Sequence, residues 1–297
     1  MKTQVSLFNP KASSIMKKRT LIIGKTSKTG SRVNTLLQQA GHETRVVSRS
    51  TSPAFDWLNP DGWLEVMTGC DAAYVTYQPD LAVPAAMDDI AKFIRVAKQA
   101  GIKHLVLLSG RGEQGAQNAE RLLMDSGLTW NVVRASWFAQ NFSEGFLIDG
   151  LFSGTVALPA GHIPEPFIDV DDIAEVAAAC LTQASLHNQL FEVTGSELLT
   201  FDECVAILSQ VIGRPIAFAP ITAQQLLDGL AQQGLPDDVL WLMNELFTVV
   251  MDGRNSRVMN GVEQALGRKA TSFREYAIKT AATGVWNLPS SSALTEQ

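Results

Sequence analysis

The sequence predicts an α/β protein organised on a doubly wound parallel sheet, with a smaller, mostly helical region toward the C-terminus. Three observations carry this. Short apolar runs of strand length alternate with helically spaced segments over about the first 135 residues, the rhythm of parallel strands joined by crossover helices. Those runs stop at Gly24, Ser48, Tyr77 and Ser109, small or polar residues at the strand ends where open sheets carry their ligands. Beyond Pro220 the pattern turns wholly helical.

Leu21-Ile22-Ile23 is the first buried strand. The helix after it places Val33, Leu36, Leu37 and Ala40 on one face and stops at Gly41. Thr44 to Val47 is the second strand; Phe55-Asp56-Trp57 reads as a short third strand or an extended turn. A helix is expected over 60–68, a strand over 71–77, and a long amphipathic helix over 83–100 closed by Gly101. His104 to Leu108 is a buried strand, 114–126 a helix running to Gly127, and Trp130 to Arg134 another strand. Further strands are expected over 154–159, 166–170 and 190–194. The helix after the second of these has Asp171 or Asp172 as its cap, with Glu175 three residues beyond the latter. Thr200 with Glu203, Thr222 with Gln225, and Ser272 with Glu275 mark three more helix starts.

At 297 residues the chain suffices for one large α/β domain with additions, or for two small domains sharing an interface. Hydrophobic residues at 46% against charged ones at 18% exclude a disordered protein. The net charge of -6, with Lys17-Lys18-Arg19 as the only basic run, argues against a nucleic-acid partner. No apolar run approaches the ~18 residues of a membrane span. Residues 1–17 read as a disordered extension without the apolar core of a secretory signal, Met1 or Met16 being the start, and 289–297 as a frayed tail. Cys70, Cys180 and Cys204 are scattered and odd in number, which speaks against a disulfide framework or metal site and for a reducing cytoplasm. His42, His104, His162 and His187 are equally scattered and read as surface or structural residues.

The chemistry begins at the end of the first strand. Gly24-Lys25-Thr26-Ser27-Lys28-Thr29-Gly30 has the spacing G-x-x-S-x-x-G between a buried strand and a helix N-terminus. Backbone N–H groups and the positive helix end stabilise a pyrophosphate there, and glycine lets the backbone approach it. Ser27 stands where a glycine is usual, small enough to fit and able to form a hydrogen bond. The expected organisation is therefore a Rossmann-type NAD(P)-binding unit over 18–153. A mainly helical substrate-side region over 154–288 interleaves with it.

Ser48-Arg49-Ser50-Thr51 ends the second strand without the carboxylate that holds the ribose hydroxyls of NAD. Arg49 flanked by hydroxyls suits a 2′-phosphate, which a guanidinium pairs with in a bidentate fork. NADP(H) is the expected cofactor, ahead of NAD(H). The segment 135–142 is dense in aromatics and amides; Gln140 and Asn141 are polar groups in an apolar setting that need partners a cofactor or substrate would supply.

Several segments together resemble one family: the glycine turn, Val-Val-Ser-Arg-Ser at 46–50, Leu-Val-Leu-Leu-Ser at 105–109, Ser-Gly-Leu-Thr-Trp at 126–130, Trp-Phe-Ala-Gln-Asn-Phe-Ser-Glu at 137–144 and Pro-Phe-Ile-Asp-Val-Asp-Asp-Ile-Ala at 166–174. This is the NmrA-like branch of atypical short-chain dehydrogenases. Phe-Asp-Trp at 55–57 and Glu-Leu-Leu-Thr-Phe-Asp-Glu at 197–203 resemble the ergot-alkaloid festuclavine and agroclavine dehydrogenases within it. The resemblance implies that Gly24, Thr26, Ser27, Lys28, Thr29 and Gly30 bind the phosphates and Ser48 and Arg49 the adenosine ribose. It also implies that Tyr77 and Ser109 face the nicotinamide. Ser27 and Ala135 depart from the family's glycine and proline.

Ordinary members of the wider superfamily reduce carbonyls with a tyrosine and a lysine four residues on. Here Tyr74, Tyr77 and Tyr276 are followed at that spacing by Gln78, Leu81 and Thr280. A hydride donor without that relay suits a small, hydrophobic, electron-poor acceptor such as an iminium ion or a quinone. Ser109, Tyr77 and Asn141 are the candidate catalytic residues, with Trp137, Phe138 and Asn141 against the substrate. A cofactor-binding redox sensor and a redox-neutral cyclase or isomerase are the alternatives, and a homodimer stays open as the assembly.

Overall fold

The computed structural model describes residues 18–288; the expectations for the two termini lie outside them. The first half runs β1 (Arg19–Ile23), α1 (Lys28–Gln39), β2 (Glu43–Val47), α2 (Trp63–Met67), β3 (Ala72–Val75), α3 (Ala86–Ala100), β4 (His104–Gly110), α4 (Gln114–Met124) and β5 (Thr129–Ala135). Then come α5 (Ile148–Ser153), β6 (Thr155–Leu158), α6 (Val170–Thr182), β7 (Gln189–Val193), α7 (Phe201–Ile212), β8 (Ala217–Pro220), α8 (Ala223–Gln232), α9 (Asp237–Glu245), α10 (Gly261–Leu266) and α11 (Phe273–Ala281). A π-helical turn, Leu246–Val250, continues α9.

Six strands form one parallel sheet in the order β2-β1-β3-β4-β5-β7, and β6 pairs with β8 in a second, two-stranded parallel sheet. The long sheet is buried on both faces, as its near-continuous apolar strands require. Leu21, Ala73, Val75, Leu105 and Leu107 face α2, α3 and α4, where Trp63 and Phe93 fill the layer. Ile22, Tyr74, Val106 and Val133 face α1, α6 and α10. A third core, built on Phe142, Phe167, Phe201, Phe273 and Trp286, holds the region outside the long sheet together. No helix among the described residues is long and apolar enough to cross a membrane.

One expected strand does not form, and 55–57, read as a strand or an extended turn, takes the turn. Residues 55–57 make only an isolated bridge, Asp56 with Asn59, because the local aromatics turn inward: Phe55 stacks on Trp63 at 5.5 Å and meets Trp57 edge-on at 5.0 Å. In 166–170, Ile168 bridges Phe138 alone, since α6 begins at Val170. The cap of α6 is Asp169, not Asp171 or Asp172; its carboxylate accepts the Asp171 N–H at 2.9 Å. Helix α5 and strand β8 carry no expectation at all. Ala-Phe-Ala-Pro is half-exposed, without the alternation that betrays a strand.

Phe201 joins the third core through Trp137 at 5.5 Å, Phe167 at 5.0 Å and Phe142 at 6.2 Å. Phe201→Ala is expected to lower the unfolding free energy by about 3–5 kcal/mol, read from urea unfolding; a loss near zero would mean that this core is not cooperative with the sheet.

Candidate active site

The glycine turn is built by contact. Gly24 has φ +91°, a conformation side chains rarely adopt. A Cβ at Gly30 would collide with the Gly24 carbonyl oxygen and approach that of Ile23 to 3.0 Å. Ser27 caps α1: its hydroxyl donates to Gly24 O at 3.0 Å and accepts the Gly30 N–H at 2.9 Å. Both partners lie inside the turn, so Ser27 braces the cradle and its hydroxyl is not turned toward a phosphate. Thr29 is buried beside the Tyr74 hydroxyl, and what it can offer an anion is its amide. The Lys28 and Thr29 amides enter no backbone hydrogen bond, as expected of a helix's first turn. A closely packed strand and helix, with free amides at the mouth, fit a dinucleotide pyrophosphate.

At the end of β2, Ser48 and Ser50 pair through their hydroxyls at 3.1 Å, and Arg49 is exposed and in no ion pair among the described residues. Beside the turn opens a cleft of about 340 Å³. Lys28, Tyr77, Ser109, Trp137, Phe138 and Asn141 all line it, so the structure brings together the expected residues of the catalytic side. Leu242, Met243, Leu246 and Val250 close the cleft from α9 and its π turn.

Their hydroxyls and amides are already engaged. Tyr77 OH donates to the Asp89 carboxylate on α3 at 2.6 Å; burial, then Asp89 itself, raises its pKa, so the ring is a wall and the proton is withheld. Ser109 Oγ donates to Glu120 at 2.6 Å, and Glu120 also binds Arg134 of β5. Asn141 accepts from Lys28 Nζ at 3.2 Å, and burial lowers the Lys28 pKa. Gln140 is not free for a ligand: its amide donates to Asp169 at 2.6 Å and its carbonyl accepts the Val170 N–H at 2.8 Å. Trp137 is half-buried against Phe201 and Phe247, at 5.5 and 5.3 Å.

Three residues of the cleft, Asp80, Arg111 and Glu113, and one behind its wall, Glu165 against Ser136, escaped the sequence reading. Arg111 is 4% exposed, donates to Glu192 and to Asn255 O at 2.6 Å each, and keeps its second terminal nitrogen without a partner among the described residues. Glu113 and Asp80 stand together in the cleft wall. Glu165 is fully buried; burial pushes its pKa up to about 7 against the pull of Arg111 and Ser136. The available signal was position, since Asp80 and Glu113 follow the ends of β3 and β4 by a few residues.

Comparison with known proteins gives the family. A family model described as NAD(P)H-binding matches residues 24–184, and one described as the NmrA-like family matches 120–280. Festuclavine dehydrogenase from Aspergillus fumigatus is 32% identical over 282 residues, covering 86% of this chain and 96% of its own. The NAD(P)H azoreductase of Xenophilus azovorans is 29% identical, with 86% and 96% covered. The Citrobacter sp. triphenylmethane reductase, solved with NADP(H), superposes with a TM-score of 0.74 at 17% identity, covering 89% of this chain and 99% of its own, which speaks to the fold. The chain is an NAD(P)H-dependent oxidoreductase. It belongs to the NmrA-like family.

The brace in the turn is tested by substitution. Ser27→Gly should cost only a few tenths of a kcal/mol and Ser27→Ala about 1 kcal/mol, because glycine tolerates the cap geometry and alanine merely loses the bond. Gly30→Val should abolish dinucleotide binding. NADPH fluorescence titration with parallel melting curves checks all three. Glu165 carries a proton more readily folded than unfolded, so its contribution is present at low pH and lost as pH rises from 4.5 through about 7. Glu165→Gln should flatten that fall in urea midpoints; an unchanged slope would place the titration elsewhere.

Proposed function

We propose that this oxidoreductase takes its reducing equivalents from NADP(H) and delivers them to a small, hydrophobic, electron-poor acceptor of the iminium or quinone kind. The observation that carries the reading is the cleft itself: an apolar chamber between Trp137, Phe138 and the α9 helix, opening beside the glycine turn at the ends of β3, β4 and β5. Its relatives named festuclavine dehydrogenase and azoreductase support it.

When bound, a reduced nicotinamide supplies the hydride equivalent. The Thr26, Lys28 and Thr29 amides and the Lys28 charge hold the pyrophosphate in the turn that Gly24, Ser27 and Gly30 shape, while Ser48 and Arg49 receive the 2′-phosphate. Tyr77 and Ser109 form the floor beside the ring. Trp137 and Phe138 give a flat acceptor its aromatic walls, and Asn141 an amide anchor. Holding donor and acceptor in this order supplies much of the rate, since fixed orientation replaces a chance encounter.

The test is titration with NADPH, followed by cofactor consumption against a panel of quinones and cyclic iminium salts. Failure to bind NADPH would overturn the reading. Arg49→Ala should weaken NADPH by about 1.5–3 kcal/mol and leave NADH nearly unchanged; equal losses would remove the 2′-phosphate assignment. Trp137→Leu and Asn141→Ala should raise KM or lower kcat with cofactor affinity and melting temperature near wild type.

A further inference from the structure

Both hydroxyls first expected to do chemistry in the cleft are tied to another residue. Tyr77 gives its proton to Asp89, and Ser109 gives its proton to a carboxylate that Arg134 also holds. The other two tyrosines sit in the cores: Tyr74 under the sheet, and Tyr276 donating to Ser143 Oγ at 2.8 Å. One pair in the cleft wall stands apart. Glu113, 6% exposed, begins α4 with its carboxyl laid flat on Gly110, where any side chain would strike all three carboxyl atoms. Its Oε2 is buried and receives no donor. The Asp80 carboxyl stands in the same wall, on the loop after β3, and two neighbouring carboxyls with little solvent around them are favoured with a proton on one of the two.

The two are not equivalent. Asp80 Oδ1 accepts the Ala82 N–H at 2.8 Å, which favours its anion. Glu113 has no such donor; the carboxylates Asp80, Glu120 of its own helix and Glu245 of α9 act on it, while the cations of the same cleft, Lys28 and Arg111, are engaged by Asn141 and Glu192. Burial and this repulsion raise its pKa well above the usual carboxylate range. The proton of the pair therefore rests on Glu113, in the wall of the cleft and three residues after the Gly110 that ends β4.

We propose that Glu113, held in its acid form by Asp80, is the proton donor to the reduced acceptor in this cleft. The inference rests on the reductase reading above and adds the acid that the missing tyrosine and lysine would have supplied. Reduction of a quinone transfers a hydride equivalent, oxidises the nicotinamide and leaves a negative charge on the acceptor oxygen. The Glu113 O–H bond breaks as the new O–H bond forms on that oxygen. The resulting pair of carboxylates regains one proton from solvent through the partly exposed Asp80. An iminium ion, by contrast, is neutralised by hydride and needs no acid.

Two measurements on the full chain test this. In the absence of cofactor, the infrared difference between wild type and Glu113→Gln at neutral pH should show the loss of an unionised carboxyl stretch; loss of an ionised carboxylate band would overturn the proposal. With NADPH, Glu113→Gln should lower kcat for a neutral quinone by roughly 100-fold, a loss at least about tenfold larger than for a cyclic iminium salt, with NADPH affinity retained. Equal losses on both acceptors, or none on the quinone, would overturn it. Should that variant not fold, Asp80→Asn replaces it: removing the neighbouring anion should move the alkaline limb of the quinone pH profile to lower pH, and a stationary limb would count against the pair. A wild-type protein that binds no NADPH would defeat the reductase reading by itself, while the cofactor-free infrared result would still decide whether Glu113 holds a proton.

Discussion

Arg134 is the residue on which the carboxyl end of the sheet depends. From β5 it binds Glu120 of α4 on one side and lies 3.6 Å from Glu192 of β7 on the other. Glu120 in turn takes the Ser109 hydroxyl, and Glu192 takes Arg111 at 2.6 Å. Two arginines and two carboxylates, Arg111 and Glu120 buried and Arg134 and Glu192 partly so, thus join β4, β5, β7 and α4 around the floor of the cleft. Such a network is high in stakes, because loss of one member strands a buried charge. It fixes Ser109 and the β4 terminus in place, so the groups beyond them, Gly110 to Glu113, are presented from a rigid base.

The sequence was legible where the signal is local. A buried apolar run, two glycines and helical spacing suffice for β1, the turn and α1, because strand, close approach and helix start are each written within a dozen or so residues. Strand composition misled at 166–170, where Pro-Phe-Ile-Asp-Val finds only one bridging partner and Val170 is already helical. Three aspartates, at 169, 171 and 172, are equal as caps in sequence; only the backbone of the turn selects Asp169. At the site, Trp137, Phe138 and Asn141 stood out by their chemistry. Asp80, Glu113 and Glu165 did not, since an isolated carboxylate in a polar loop reads as a solvated charge and its burial is a property of the tertiary fold.

Tyr77 lines the cleft with its hydroxyl engaged by a neighbouring helix. Its position at the end of β3 was enough to put it in the cleft, but Asp89, twelve residues on and one turn into α3, takes its hydroxyl. Where the wider superfamily sets a lysine four residues after its tyrosine, the fold here brings an acid from the following helix, and an acid holds the phenol proton more tightly instead of loosening it.

Lys28 and Arg32 explain how the two halves of the cleft keep register. Lys28 leaves the first turn of α1 and reaches Asn141, in the segment that follows β5. One helical turn on, Arg32 pairs with Glu144 of that segment and with Asp171 of α6, and Lys279 of α11 binds Asp171 and Asp169 in turn. Asp169 also receives Gln140. Partly exposed pairs of this kind contribute little stability one by one. Their consequence is geometric: the helix that carries the phosphate turn, the aromatic wall and the C-terminal helices are bound in one continuous line. A dinucleotide seated at α1 would therefore meet a substrate wall already held to the same helix, and the distance between donor and acceptor is set by the fold before either arrives.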